Sequence, residues 1–136
     1  MKTVTKEIRS SRSNMKEIEK LLLSVNKEFR LPDEQINNVM IAVSELLLNA
    51  IVHGNKQDEK KLVKFAVGYD DNTMKISIMD EGNGFDETKM NDPTLEENLL
   101  KTSGRGMFIV KALVDDFSYK KTKEGFEIIL TVKKKS

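Results

Sequence analysis

The chain of 136 residues has no cysteine, which excludes disulfides and any cysteine-based zinc or redox site, and it has a single histidine, His53. It also lacks an excess of either charge: 23 Lys and Arg stand against 22 Asp and Glu, a formal net charge of +1, so nothing global favours direct binding to nucleic acid. The run Lys133 to Lys135 reads as a solvated basic terminus. No apolar run free of charge reaches the length of a membrane helix, and the opening MKTVTKEIRSSRS has no hydrophobic segment of the kind a leader needs. Internal repeats, low-complexity segments and linkers rich in Pro, Gly or Ser are absent as well. These absences predict a soluble, cytoplasmic chain with no membrane partner, folded as one domain over residues 1–136 and long enough to bury a core without staples.

What is present is organised around VMIAVSELLLNAIVHGN, Val39 to Asn55. Between Val39 and Val52 the polar residues are Ser44, Glu45 and Asn49 alone, so the stretch predicts a helix apolar on nearly every face and buried. Glu45 and Asn49 are four apart and share one edge of that helix, and His53 continues the edge a turn later. An uncompensated carboxylate in a core is costly. Either this edge faces a wet or liganded cleft, or Glu45 and Asn49 bond to other core groups and only specify packing.

Around it the chain reads in order. Residues 3 to 9 form a short edge strand through Val4 and Ile8. Asn14 and Glu17 have the spacing of a capping box, and Met15, Ile18, Leu22, Val25 and Phe29 follow as a first amphipathic helix to about Arg30. Pro32 suits the first turn of the second helix, with Asp33 and Glu34 at its positive end, and Gly54 is placed to cap it. The leucines at 46, 47 and 48 are expected in the core.

A change of period follows the charged loop Lys56 to Lys61. Val63, Phe65, Val67 and Tyr69 alternate, Asp70 to Asn72 turn the chain, and Met74, Ile76 and Ile78 alternate back, a β-hairpin. Period two puts Asp80 on the inward face with Met74, Ile76 and Ile78. Gly82 and Gly84 then allow close approach of the backbone to another group. Residues Glu87 to Ser103 read as a long functional loop, ended by Gly104-Arg105-Gly106, and a third helix starts at Met107 with Val110, Leu113 and Val114. Phe117 and Tyr119, a turn at Lys123 to Gly125, and Phe126 to Val132 close with a hairpin. The sum is an α/β two-layer sandwich: one mixed, mostly antiparallel sheet with helices on one face.

A purine nucleotide fits between these parts. Asp80 can accept a hydrogen bond from an exocyclic amine, Gly82 and Gly84 leave room for a ring, and the amides around Gly104 to Met107 can hold phosphate oxygens. Arg105, between two glycines at a helix start, suits a phosphate; His53 suits either a phosphate or the helix dipole. The Asn49 carboxamide is a hard oxygen ligand for Mg²⁺, and Glu45 one turn away can take a proton from a nucleophile attacking a γ-phosphate. Other nucleotide signatures fail on spacing: the third glycine of a G-x-G-x-x-G would fall at Glu87 or Ile109, and no Gly-Lys pair precedes a Ser or Thr.

On these residues, SELLLNAIVHGN resembles the N box, DEGNGFD the first glycine box and TSGRGMFIV the second glycine box of the GHKL (Bergerat-fold, histidine-kinase-like) ATPases. Within them the chain is most similar to the stand-alone serine/threonine kinases that act as anti-sigma factors in bacterial partner switching. The resemblance implies ATP and Mg²⁺ as cofactors, Glu45 as general base, Asn49 as the Mg²⁺ ligand, Asp80 as the adenine reader with Gly82 and Gly84 lining its pocket, and Thr102, Ser103, Gly104, Arg105, Gly106 and Met107 closing over the phosphates. It further implies a homodimer that sequesters a sigma factor and phosphorylates an anti-anti-sigma (STAS-type) antagonist, in a role in transcription and stress response. A non-catalytic ATP-dependent binding switch and a catalytic fragment of a sensor histidine kinase are the alternatives; against the second, the chain has no dimerising helical domain with a phospho-accepting histidine, since His53 sits inside the N box. One departure stands out: the family's last strand opens with Gly-Thr, whereas Gly125 is followed here by Phe126 and Glu127.

Overall fold

The computed structural model describes residues 1–82, 110–123 and 125–135. In chain order these form β1 (Lys2–Arg9), α1 (Met15–Phe29), α2 (Asp33–Asn49), β2 (Leu62–Tyr69), β3 (Thr73–Asp80), β4 (Asp116–Lys121) and β5 (Phe126–Lys133). The strands make one five-stranded sheet in the order β1-β2-β3-β5-β4, and every pairing between them is antiparallel. β3 is central. Its last residue, Asp80, pairs with the first of β5, Phe126, so the two hairpins meet at the end of the sheet where Asp80 stands.

Period two decides which face is covered. Val63, Phe65, Val67, Met74, Ile76, Ile78, Ile128, Leu130 and Val132 point to one side and are buried, while Lys64, Lys75 and Lys133 are exposed. Onto the buried side α1 lays Ile18, Leu22, Val25 and Phe29, and α2 lays Val39, Ala42, Val43, Leu46 and Leu47. Buried Gln35 fastens the start of α2 to the far end of the sheet, donating to the Lys133 carbonyl at 2.6 Å and accepting the Lys135 amide at 3.1 Å.

Several local expectations are corrected. The Asn14 capping box does not form: a 3₁₀ turn over Arg12–Asn14 precedes α1, Asn14 already has helical dihedrals (φ −82°, ψ −10°), and its amide donates to the Arg9 carbonyl at 3.2 Å. A capping side chain needs an extended backbone at that position. Pro32 is the extended residue before α2, not part of its first turn. α2 is also less buried than its composition predicts: Ile41 is 47% exposed, and Met40, Leu48 and Val52 are half-buried, because two layers cover one flank of a helix and leave the other open. Leu46 and Leu47 are core; Leu48 is not fully so. By length and composition alone the continuous helical stretch Asp33–Gly54 is apolar enough to cross a membrane, and 44% of its most apolar window is buried within the protein.

After Asn49 the helix widens into a π turn, Ala50–Gly54, and Asn55 closes it by donating its amide to the Ala50 carbonyl at 2.8 Å. The left-handed residues that finally turn the chain are Lys56 (φ 53°) and Gln57 (φ 57°), so Gly54 is not the left-handed cap that its position suggested. Of the expected third helix, the described part is a helical turn over residues 110–113, with Val110 fully buried.

Candidate functional site

Two pieces of chain converge at the Asp80 end of the sheet. One is the end of α2, which carries Glu45 and Asn49, both half-buried; neither side chain hydrogen-bonds to another described residue. Ser44, beside them, reaches Glu19 of α1 at 3.5 Å. His53 lies further on, exposed, within the π turn.

The other piece is β3. Asp80 is 7% exposed and on the same face as Met74, Ile76 and Ile78, as its spacing predicted. Glycines hold it closely. A Cβ on Gly54 would lie 2.2 Å from Asp80 Oδ2, one on Gly82 would lie 2.2 Å from the Gly54 carbonyl oxygen, and one on Gly125 would lie 1.7 Å from the Asp80 carbonyl oxygen. Gly54 is therefore glycine because the Asp80 carboxylate occupies the space a side chain would need. That close contact also brings the turn leading out of the Glu45–Asn49 helix against the strand end.

Burial sets the charge of this acid. Loss of hydration raises the Asp80 pKa to about 6, opposed by the Gly82 amide, which donates to Oδ1 at 2.8 Å, and by the positive charges of Lys121 and Lys61. The Lys121 ammonium also reaches the Gly82 carbonyl at 3.5 Å, so a cation from β4 stands over the glycine turn. A buried carboxyl with one backbone donor keeps lone pairs free for a ligand, and the glycines beside it are a cradle that any side chain would fill.

Of the residues expected to bind, Asp80 and Gly82 lie at the end of the sheet against Gly54, His53 lies in the same π turn as Gly54, and Glu45 and Asn49 lie on the helix before it. Gly84, Thr102, Ser103, Gly104, Arg105, Gly106 and Met107 lie outside the described residues. Reading the sequence missed Asn55 and Lys121, and it named Gly125 only as a turn residue and as the glycine opening the last strand. Gly125 carried a signal, since a glycine at the start of a strand pattern marks close backbone approach. Lys121 and Asn55 carried none, because their partners are distant along the chain.

Residues 8–132 match the family model described as a histidine kinase-like ATPase domain. Among curated proteins, the chain is 33% identical over 89 residues to the serine-protein kinase RsbW of Oceanobacillus iheyensis, covering 61% of this chain and 56% of that protein. It is 31% identical over 106 residues to the anti-sigma F factor of Clostridium novyi, covering 76% of this chain and 74% of that one. The match thus spans little more than half the length of the RsbW relatives. The fold agrees with the RsbU and RsbW domains of a Mycobacterium tuberculosis protein, at a TM-score of 0.71 and 17% identity over 100% of this chain and 34% of that one. It also agrees with the mycobacterial sensor histidine kinase MprB, at a TM-score of 0.59 and 18% identity over 97% of this chain and 99% of that one.

Proposed function

The chain belongs to the histidine kinase-like ATPase domain family, and from that premise we propose that it is an ATP-dependent serine/threonine protein kinase acting as an anti-sigma factor. Carrying the reading is a single observation: the buried acid Asp80, cradled by glycines, stands where the turn from the Glu45–Asn49 helix meets the sheet. Asp80 accepts the exocyclic amine of adenine, and Gly82 leaves room for the ring. Asn49 offers its amide oxygen to Mg²⁺, which when bound neutralises phosphate charge. Glu45 takes the proton from the serine hydroxyl of the acceptor as that oxygen attacks the γ-phosphorus and the bond to ADP breaks. His53 and the segment Thr102 to Met107, with Gly84 at the base, contact nucleotide in this reading.

Two relatives' names, serine-protein kinase and anti-sigma F factor, support the biological half of the reading. On it, the protein works in the cytoplasm as a homodimer, sequesters a sigma factor and phosphorylates a STAS-type antagonist. Incubation with γ-labelled ATP, Mg²⁺ and a candidate antagonist tests it. The expected result is label on an antagonist serine, lost in Glu45→Ala. Tight ATP binding with no label on any antagonist, and partner regulation unchanged in Glu45→Ala, would replace the kinase by a non-catalytic ATP-dependent switch.

A further inference from the structure

Asn55 is 0% exposed in a stretch whose next five residues all face solvent. Its carboxamide is fully used. Nδ2 donates to Ser10 Oγ at 2.7 Å and to the Leu62 carbonyl at 3.0 Å, and Oδ1 accepts the Glu81 amide at 2.7 Å. Its own backbone amide closes the π turn on Ala50 at 2.8 Å. One side chain therefore joins the residue after β1, the start of β2 and the residue directly after Asp80, and it does so from the position that ends the helix bearing Glu45 and Asn49.

We propose that Asn55 is a positioning residue: it fixes the Asp80 carboxylate relative to the α2 end of the pocket and so sets the preference for adenine. The inference rests on the nucleotide reading above and concerns the same pocket. Two neighbouring contacts run side by side, Gly54 against the Asp80 carboxylate and Asn55 on the Glu81 amide. Asp80 cannot shift along the strand without straining one of them. An amide oxygen buried without a donor is unfavourable, so the arrangement has no cheap alternative. Hydrogen bonds weaken steeply with misalignment, which makes amine recognition by Asp80 sensitive to small displacements. Guanine presents a carbonyl where adenine presents an amine, and a carboxylate held in place repels it; one free to move does so less.

The test is titration calorimetry of the full chain with ATP and with GTP in the presence of Mg²⁺, read as the ratio of the two dissociation constants. Wild type should prefer ATP, and Asn55→Ala should lose about tenfold of that preference, the order seen when outer-layer partners of site residues are removed. Ser10→Ala removes the hydroxyl that accepts from Asn55 and donates to the Lys61 carbonyl at 2.8 Å, but leaves the Glu81 amide held. It should melt at lower temperature and keep the wild-type ratio. A wild-type ratio in Asn55→Ala, or an equal loss in Ser10→Ala, overturns the proposal and leaves the nucleotide reading standing. Wild type binding neither nucleotide overturns both. Should Asn55→Ala not fold, Asn55→Asp keeps an oxygen for the Glu81 amide; it is expected to retain the preference, and its loss there overturns the proposal.

Discussion

At one end of the sheet Asp80 is 7% exposed and receives one backbone amide, and its pKa is raised. At the other end Glu28 and Asp70 lie at the surface and are held by hydrogen bonds. Glu28 pairs with Lys2 and accepts the Tyr69 hydroxyl at 2.8 Å; Asp70 accepts the amides of Asn72 and Thr73 at 2.9 and 2.8 Å. Both pKa values are lowered, Glu28 chiefly by Lys2 and Asp70 chiefly by the Asn72 amide. At the far end Tyr69 also meets Phe29 edge-on at 5.9 Å, and Lys134 stands 4.7 Å over the Phe29 ring. The same strands thus carry exposed acids with lowered pKa values at one end and a buried acid with a raised pKa at the other. Burial that disfavours the charged form of an acid costs stability at neutral pH, and acids shifted in this way cluster at binding and catalytic sites.

Substitutions at the Asp80 end should separate chemistry, binding and stability, and those at the far end should not. Glu45→Ala should give the largest effect, a fall in phosphotransfer of about 10²–10⁴-fold with nucleotide affinity nearly unchanged; parallel loss of both in single-turnover and binding assays would make Glu45 a structural group. Asp80→Ala should weaken ATP binding by about a hundredfold, the size of one lost hydrogen bond to a charged acceptor, as calorimetry would show. Gly54→Ala should cost about 1–3 kcal/mol in urea unfolding, since its Cβ would fall 2.2 Å from Asp80 Oδ2 and something must move.

Acid should move the two ends in opposite directions. Asp80 titrates near 3.8 when unfolded and at about 6 when folded, so between these values the folded state holds more protons. Its contribution to stability therefore rises on acidification from about pH 6 to about pH 4, by at most about 3 kcal/mol for a shift of roughly two units. The lowered Glu28 and Asp70 stabilise at neutral pH, and that stabilisation is lost as the pH falls below 4.5 and 3.8 and then through their folded pKa values. Unfolding curves of wild type, Asp80→Asn and Glu28→Gln from about pH 2 to 7 should show difference slopes of opposite sign, that of Asp80→Asn between about pH 6 and 4 and that of Glu28→Gln below about pH 4.5. Slopes of one sign would erase the contrast.

How much of this could be read from the sequence depends on where each residue finds its partners. The two hairpins, both helices and the inward aim of Asp80 follow from period alone, because neighbours at fixed spacing share a face. The exposed flank of α2 does not: Ile41 and Leu48 are as apolar as Leu46, and only the number of layers decides which of them is covered. Asn14 has the spacing of a cap, but a 3₁₀ turn takes its place. Asn55 sits in a polar run that looks like loop, and its role comes from Ser10, Leu62 and Glu81, which only the folded chain brings near. Gly54 shows the same limit from the other side: it was read as a helix cap, and its actual constraint is an aspartate on another element.

The pairing of β1 has a consequence for the order of assembly. Its partners run from Tyr69 back to Leu62, so the first strand synthesised must wait for both helices and the charged loop before it has anything to bond. Closing so long a loop costs a few kcal/mol of chain entropy, about 3–4 by the logarithmic law, and local helix and hairpin contacts form before it is repaid. Ile8, buried against the core at 3% exposed, is then a late contact. Ile8→Val should accelerate unfolding and leave the refolding rate nearly unchanged in stopped-flow chevrons, with slowed refolding the contrary result. The ribosome releases β1 before the strand it pairs with, and on this expectation the sheet takes it in late.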